Sequence, residues 1–189
     1  MRIDLKEIAS SSVLAGALGG KAALNRLLAA TAMEPDEPEP VFLDFSCVEV
    51  ATASFLRESV LVFRDIVRSR HSRFYPVVAN VSEAVRDELM ELLRPRGDVL
   101  MACTLGDGET VVQSELLGDL DPKQRVTFKL VREHGETDAA ELMRMYGESE
   151  GLKHATAWNN RLASLAALGL VVELSEGRTK RYRPLFQGS

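Results

Sequence analysis

The chain has 189 residues, of which 46 per cent are apolar and 27 per cent are charged. This composition is that of a folded globular protein and excludes a disordered tail. No apolar run approaches the roughly 20 residues that cross a bilayer. The net charge of −5 is uneven, since residues 1–121 hold 12 Lys and Arg against 20 Asp and Glu, whereas residues 122–189 hold 11 against 8. The second part is therefore the one suited to a polyanion.

The first residues mix charged and apolar side chains, so they do not resemble a signal peptide, and we expect a cytoplasmic protein with no membrane partner. Cys47 and Cys103 each end an apolar run and are expected to be buried, free thiols. The three histidines share no ligand spacing with the cysteines, so neither a metal nor another cofactor is expected.

Strands and helices are expected to alternate in the first part of the chain. Strands are predicted at 2–8, 41–45, 74–79 and 98–103, and helices at 14–30, from Thr52 or Ser54 to 68, and from Asn80 or Ser82 to the residues before Pro95. A tight turn at 106–108 leads to a short edge strand at 110–112. This order predicts an α/β domain over residues 1–118, a sheet covered by helices with mostly parallel strands.

The pattern changes after Gly118, and residues 119–189 are predicted to form a second domain. Asp121 and Pro122 open a helix that ends before Gly135, a second helix runs from 137 or 138 to 146, and a third from 156 to 168. Two extended segments follow at 170–174 and 180–184. Three helices and then a hairpin are the order of a winged helix-turn-helix.

Helical geometry assigns a core face and an outward face to the third helix. Trp158, Leu162, Leu165, Ala166 and Gly169 fall on one side and are predicted to be buried. The outward side is predicted to bind DNA, because Asn, Arg, Ser and Thr can contact bases or phosphates. The hairpin adds basic residues suited to phosphates. The predicted DNA-binding residues are Thr156, Asn160, Arg161, Ser164, Arg178, Lys180, Arg181 and Arg183.

The segment from Thr156 to Val171, followed by the basic hairpin, resembles winged-helix transcription regulators of the broad MarR-like kind. In those proteins a polar helix with the pattern Leu-x-x-Leu-x-x-x-Gly-Leu-Val leads directly into the wing. The resemblance covers about 65 residues and implies that double-stranded DNA is the partner.

The run Val41 to Leu56, with Asp44-Phe45 after a strand and Ser54-Phe55 at a helix start, resembles the STAS domain. The run Val77 to Val85 resembles the next strand and helix of the same family. In STAS domains of the anti-sigma-antagonist type, a serine at this helix start is phosphorylated, and Ser54 is the matching position. The family's Asp-Ser-Ser-Gly core is here Thr52-Ala53-Ser54-Phe55, so the alternative is that Ser54 only caps the helix.

The leading hypothesis is a transcription regulator that acts as a homodimer on a pseudo-palindromic site, with the STAS-like domain receiving a protein or small-ligand signal. The alternative is a protein-interaction adaptor of the anti-sigma-antagonist or kinase-signalling type that does not bind DNA. An enzyme is not expected. The segment Gly16 to Ala22 has only part of a phosphate-loop pattern and ranks last as a functional site.

Overall fold

The computed structural model describes residues 1–176 and 179–186, with the backbone alone for residues 175 and 176. It has a mixed α/β fold that divides into two compact units, Met1–Asp119 and Leu120–Ser189. This division lies one residue after the boundary expected from the sequence. No helix in the described ranges is both long and apolar enough to span a bilayer.

A five-stranded mixed sheet forms the centre of the first unit. Its order is β1 (Arg2–Asp4), β3 (Glu39–Asp44), β5 (Phe74–Ala79), β6 (Val99–Leu105) and β7 (Val111–Gly118). The first four strands run parallel and β7 runs antiparallel to β6. All six residues of β5 are buried, as is usual for a central strand with few polar residues.

Helices supply the other side of the core of this unit. They are α1 (Leu5–Ala9), α2 (Ala17–Ala30), α3 (Ala53–Leu56), α4 (Val62–Ser69) and α5 (Glu83–Leu93). A π-helical turn at Arg57–Leu61 joins α3 to α4, so that one helical segment runs from 53 to 69. Leu27, Phe55, Leu61 and Leu89 are fully buried against the sheet residues in one apolar cluster.

Several local predictions for this unit were wrong. The strand expected at 2–8 ends at Asp4, because the Asp4 carboxylate accepts a hydrogen bond from the Lys6 N–H at 2.7 Å and caps α1. The two-residue strands β2 (Val13–Leu14) and β4 (Val50–Ala51) pair with each other and were not foreseen. Cys47 lies in an exposed loop after β3, whereas Cys103 is buried as expected. The edge strand β7 is eight residues long rather than three.

The second unit contains three helices followed by an antiparallel hairpin. They are α6 (Pro122–His134), α7 (Ala139–Tyr146), α8 (Thr156–Ala167), β8 (Val171–Glu176) and β9 (Thr179–Pro184). Asp121 and Gln124 form a capping box at the start of α6. Thr137, just before α7, pairs with Tyr182 of the hairpin through two backbone hydrogen bonds of 2.9 and 2.8 Å. The hairpin is thereby fixed to the helices of its own unit.

Candidate functional site

A buried carboxylate lies at the carboxyl end of β3. The Asp44 side chain is fully buried and accepts hydrogen bonds from Arg2 Nε (2.9 Å) and Nη2 (2.5 Å), from Ser46 N (3.1 Å) and Oγ (2.7 Å), and from Asn80 Nδ2 (2.7 Å). A carboxylate offers about four lone-pair positions, so protein donors saturate this one. Burial raises the pKa of Asp44, but the hydrogen bonds from Ser46, Arg2 and Asn80 together outweigh it, and the pKa is lowered. Asp44 is therefore suited to joining strand ends and not to accepting a proton from a substrate.

Asn80 extends this network to the neighbouring strands. It follows β5 with a φ of 55°, in the left-handed region that Asn tolerates better than most residues. Its N–H donates to the Cys103 carbonyl at 2.9 Å, and its Oδ1 accepts from the Leu105 N–H at 2.9 Å. Burial, with a smaller effect of the Asp44 charge, raises the pKa of the Cys103 thiol to about 12, so this thiol stays protonated near neutral pH.

Thr52 is the N-cap of α3, and Ser54 lies at the second helical position. The Thr52 Oγ1 accepts from the Phe55 N–H at 3.4 Å and from the Gly16 N–H at 3.3 Å. The Ser54 hydroxyl is half-buried, 3.2 Å from the Thr52 hydroxyl. Of the two caps expected from the sequence, Thr52 is confirmed, and the prediction that Ser54 caps the helix was wrong because the N-cap lies two residues earlier.

One glycine near the start of α2, Gly20, has a packing explanation. A Cβ on Gly20 would lie 2.8 Å from the Phe55 carbonyl oxygen and 3.0 Å from the Glu58 Cβ. This glycine therefore lets α2 approach the helical segment from 53 to 69. Close packing accounts for a glycine that the phosphate-loop pattern would assign to nucleotide binding.

In the second unit, the predicted core face of α8 is confirmed. Trp158, Leu162 and Leu165 have no exposed surface, and Ala166 is 4 per cent exposed. The exposed residues of the helix are Thr156, Asn159, Asn160, Ala163 and Ala167. Two of the predicted DNA-binding residues, Thr156 and Asn160, thus lie on the exposed face.

Two other predicted residues of this helix are engaged within their own unit. The Arg161 guanidinium donates to Glu150 Oε2 at 3.0 Å and lies 4.8 Å from the centre of the Trp158 ring. Its side chain is only 11 per cent exposed. The Ser164 hydroxyl accepts from Gln124 Nε2 of α6 at 2.8 Å. The expectation that both face outward was wrong, because α6 covers the Ser164 flank and the segment before α8 covers Arg161.

Two of the four basic residues predicted in the hairpin are also paired with carboxylates. Lys180 Nζ lies 2.7 Å from Glu173 Oε1 on the adjacent strand. Arg181 lies 2.5 Å from Glu136 Oε1, with Asp138 3.5 Å away. The hydrogen bond to Glu136 raises the pKa of Arg181 further above its already high value. Arg183 is half-buried on β9, and Arg178 lies outside the described residues.

Sequence reasoning missed Asn159 and Ala163, which are exposed beside Thr156 and Asn160. The predicted outward face of α8 was centred too close to Ser164, since an ideal helical wheel does not show which neighbouring helix covers each side of α8. Lys153 and His154 are exposed just before α8. The signal that could have found this surface is its charge, because no Asp or Glu occurs between Gly151 and Val172. The surface formed by Lys153, His154, Thr156, Asn159 and Asn160 is called the α8 surface below.

The chain matches no known protein family, and no curated protein is significantly similar to it. Among the residues that the structure describes, no three His, Cys, Asp or Glu side chains are grouped so as to hold a metal ion.

Proposed function

We propose that the second unit is a winged helix that binds double-stranded DNA through the α8 surface, and that the protein is a transcription regulator. The observation that carries the proposal is the exposed, carboxylate-free face of α8. Its side chains are amides and a hydroxyl, which can donate to and accept from base edges in a major groove. In this unit α8 follows two other helices and precedes a hairpin. This is the order in which a winged helix presents its recognition helix.

The start of α8 is suited to a phosphate. Ala155, its N-cap, makes no side-chain hydrogen bond to the first N–H groups of the helix. Such N–H groups and the positive end of the helix dipole favour an anion. Exposed Lys153 adds a positive charge two residues earlier. These groups would position the helix on the DNA backbone, and Asn159 and Asn160 would contact bases.

The first unit is proposed to be a STAS-like domain that receives a protein or small-ligand signal. Its support is the order of parallel strands and helices, with polar residues gathered at the carboxyl ends of β3 and β5, where open α/β sheets commonly bind ligands. The half-buried Ser54 at a helix start stays a candidate for phosphorylation.

A specific observation favours a second candidate function, the protein-interaction adaptor. Carboxylates of the second unit already engage Lys180 and Arg181. Ion pairs of this kind reduce the positive charge that a hairpin could offer to DNA. An adaptor would use the α8 surface to bind a protein instead.

Binding of the full chain to a random DNA duplex, measured by fluorescence anisotropy at several salt concentrations, distinguishes the two functions. We expect measurable affinity at low salt and a linear fall of log affinity with log salt, by about 0.9 for each phosphate contacted. Lys153→Ala is expected to make this slope shallower by about 0.9, the contribution of one phosphate contact. Lys21→Ala, an exposed lysine of the first unit, is the matched control and should leave the slope unchanged.

Arg181→Ala tests how the hairpin participates. Because Arg181 is paired with Glu136 and Asp138, its removal should change the salt slope less than Lys153→Ala does. For a duplex enriched from a random library, Asn160→Ala should weaken binding by about 1–3 kcal/mol, as expected for the loss of a bidentate base contact. No binding at low salt would reject the DNA-binding function and favour the adaptor.

A further inference from the structure

Four exposed residues of α8 lie in one line along the helix, because successive members are four, three and four residues apart. They are Thr156, Asn160, Ala163 and Ala167, with Asn159 exposed beside them. Within the described part of the chain, the side-chain amides of Asn159 and Asn160 have no hydrogen-bond partner. Both amides are therefore available to a ligand.

The one charged side chain of α8 is not available in this way. The Arg161 guanidinium is held by Glu150 at 3.0 Å, and the Arg161 side chain is only 11 per cent exposed. The Ser164 hydroxyl is engaged by Gln124 of α6 at 2.8 Å. The exposed face of α8 therefore offers amides, a hydroxyl and methyl groups, and neither a guanidinium nor a carboxylate.

The base edges in a major groove differ in the groups that they require. Guanine presents two acceptors, N7 and O6, for which Arg or Lys supplies two donors, and cytosine presents a donor that Asp or Glu accepts. Adenine presents the N7 acceptor beside the N6 donor, and a single carboxamide matches this pattern with its NH₂ group and its carbonyl oxygen. Thymine presents a methyl group, which packs against the methyl group of Ala or Thr.

We infer that the exposed face of α8 prefers A·T base pairs, with the Asn160 amide paired to an adenine and the methyl groups of Thr156 and Ala163 packed against thymines. This inference rests on the proposed binding of double-stranded DNA. From Thr156 to Ala163 the helix rises by about 10 Å, which is the length of about three base-pair steps. The preferred site is therefore a short run of A·T pairs.

The same groups disfavour G·C pairs. An amide placed for adenine would bring its carbonyl oxygen against guanine O6, and neither atom would have a donor. A desolvated acceptor without a donor costs free energy, so guanine at this position should weaken binding. Lys153 and His154 precede the helix and are assigned to the phosphate backbone, where contacts carry no sequence information.

Selection from a random duplex library by the full chain, followed by sequencing, tests this preference. We expect the enriched duplexes to share a run of about three or four A·T pairs. Asn160→Ala should relax the preference at one position of the run. Lys153→Ala should weaken binding to all duplexes and leave the selected sequence unchanged, because a phosphate contact does not read bases. The matched control is Asn25→Ala, at an exposed asparagine of α2, which should select the wild-type site.

A base analogue tests the adenine contact itself. 7-Deazaadenine lacks the N7 acceptor but still pairs with thymine. At the contacted position it should weaken wild-type binding by about 2- to 12-fold, the loss of one hydrogen bond. Asn160→Ala has already lost this contact, so its affinity should not respond to the analogue.

Replacing thymine by uracil tests the methyl contacts. Uracil lacks the thymine methyl group and should weaken wild-type binding by about four-fold for each methyl group that is buried in the complex. Ala163→Gly should respond less than the wild-type protein does. The fluorescence of the buried Trp158 checks that each variant is folded.

Failure of this inference can be distinguished from failure of the proposed function. Salt-dependent binding to DNA without a base preference, or with G·C pairs enriched, would overturn the A·T preference and leave DNA binding in place. An equal response of the wild-type protein and Asn160→Ala to 7-deazaadenine would overturn the adenine contact. Absence of binding to any duplex at low salt would reject both the inference and the proposed function.

Discussion

Asp44 combines full burial with a negative charge, and this combination makes the stability of the first unit depend on pH. Its lowered pKa means that folding favours the ionised form. The resulting stabilisation is fully present above about pH 4, the ordinary range of an aspartate, and is lost as the pH falls through the lowered pKa of the folded state. Asp44→Asn should lower the free energy of unfolding at pH 7 by about 2–3 kcal/mol, because an amide has one acceptor oxygen and would turn its NH₂ group toward donors.

Urea unfolding of the wild-type protein and of Asp44→Asn at pH 7 and at a series of acidic pH values measures both effects. The difference between the two proteins should shrink as the pH falls. Asp36→Asn, at an exposed position, should have little effect at either end of the series. A difference that stays constant with pH would show that the Asp44 charge does not contribute.

At the scale of elements, the contact of α2 with the helical segment from 53 to 69 depends on Gly20, and the neighbouring Gly19 is expected to behave in the opposite way. Gly20→Ala should destabilise the protein by about 1–3 kcal/mol, because its Cβ would lie 2.8 Å from the Phe55 carbonyl oxygen. Gly19→Ala should stabilise it by up to about 1 kcal/mol, because its Cβ would lie 3.6 Å from the Phe55 ring and alanine favours the helix. Thermal unfolding of the two variants decides the point, and equal melting temperatures would refute this account of the packing.

The elements also show how far the sequence could predict the fold. The spacing of apolar residues and the capping residues predicted the longer helices, from the one that contains Leu27 to the one that contains Leu89, and also the central strands. These predictions succeeded because each of these elements buries a regular apolar face. The short helix α1 was missed since five residues are too few for a periodic pattern, and its cap at Asp4 is itself part of a strand. Arg161 and Ser164 were placed outward because the partners that hold them, Glu150 and Gln124, are 11 and 40 residues away in the chain. Local pattern cannot reveal such pairings.

At the scale of the whole molecule, each unit has its own core, and this predicts two unfolding transitions. The apolar cluster from Ile3 to Leu117 contains residues of the first unit alone. Trp158, the one tryptophan of the protein, is fully buried in the second unit. Its fluorescence therefore reports the second unit, whereas far-ultraviolet circular dichroism reports both.

Gly20→Ala should shift part of the circular dichroism transition and leave the midpoint of the Trp158 fluorescence transition unchanged. Leu142→Ala, at a fully buried position of α7, should lower the fluorescence midpoint, as expected for a loss of about 2–5 kcal/mol. If Gly20→Ala moves both transitions together, the two units unfold as one.

The π-helical turn at Arg57–Leu61 has a consequence for how chains of this fold vary in length. A π turn holds one residue more than a regular α-helix over nearly the same rise. A chain one residue shorter in this turn would run a regular helix between the same two ends, with the α3 and α4 faces packed as before. In an alignment of relatives, a single-residue gap inside this helix would therefore mark the relaxation of the π turn and not a change of fold.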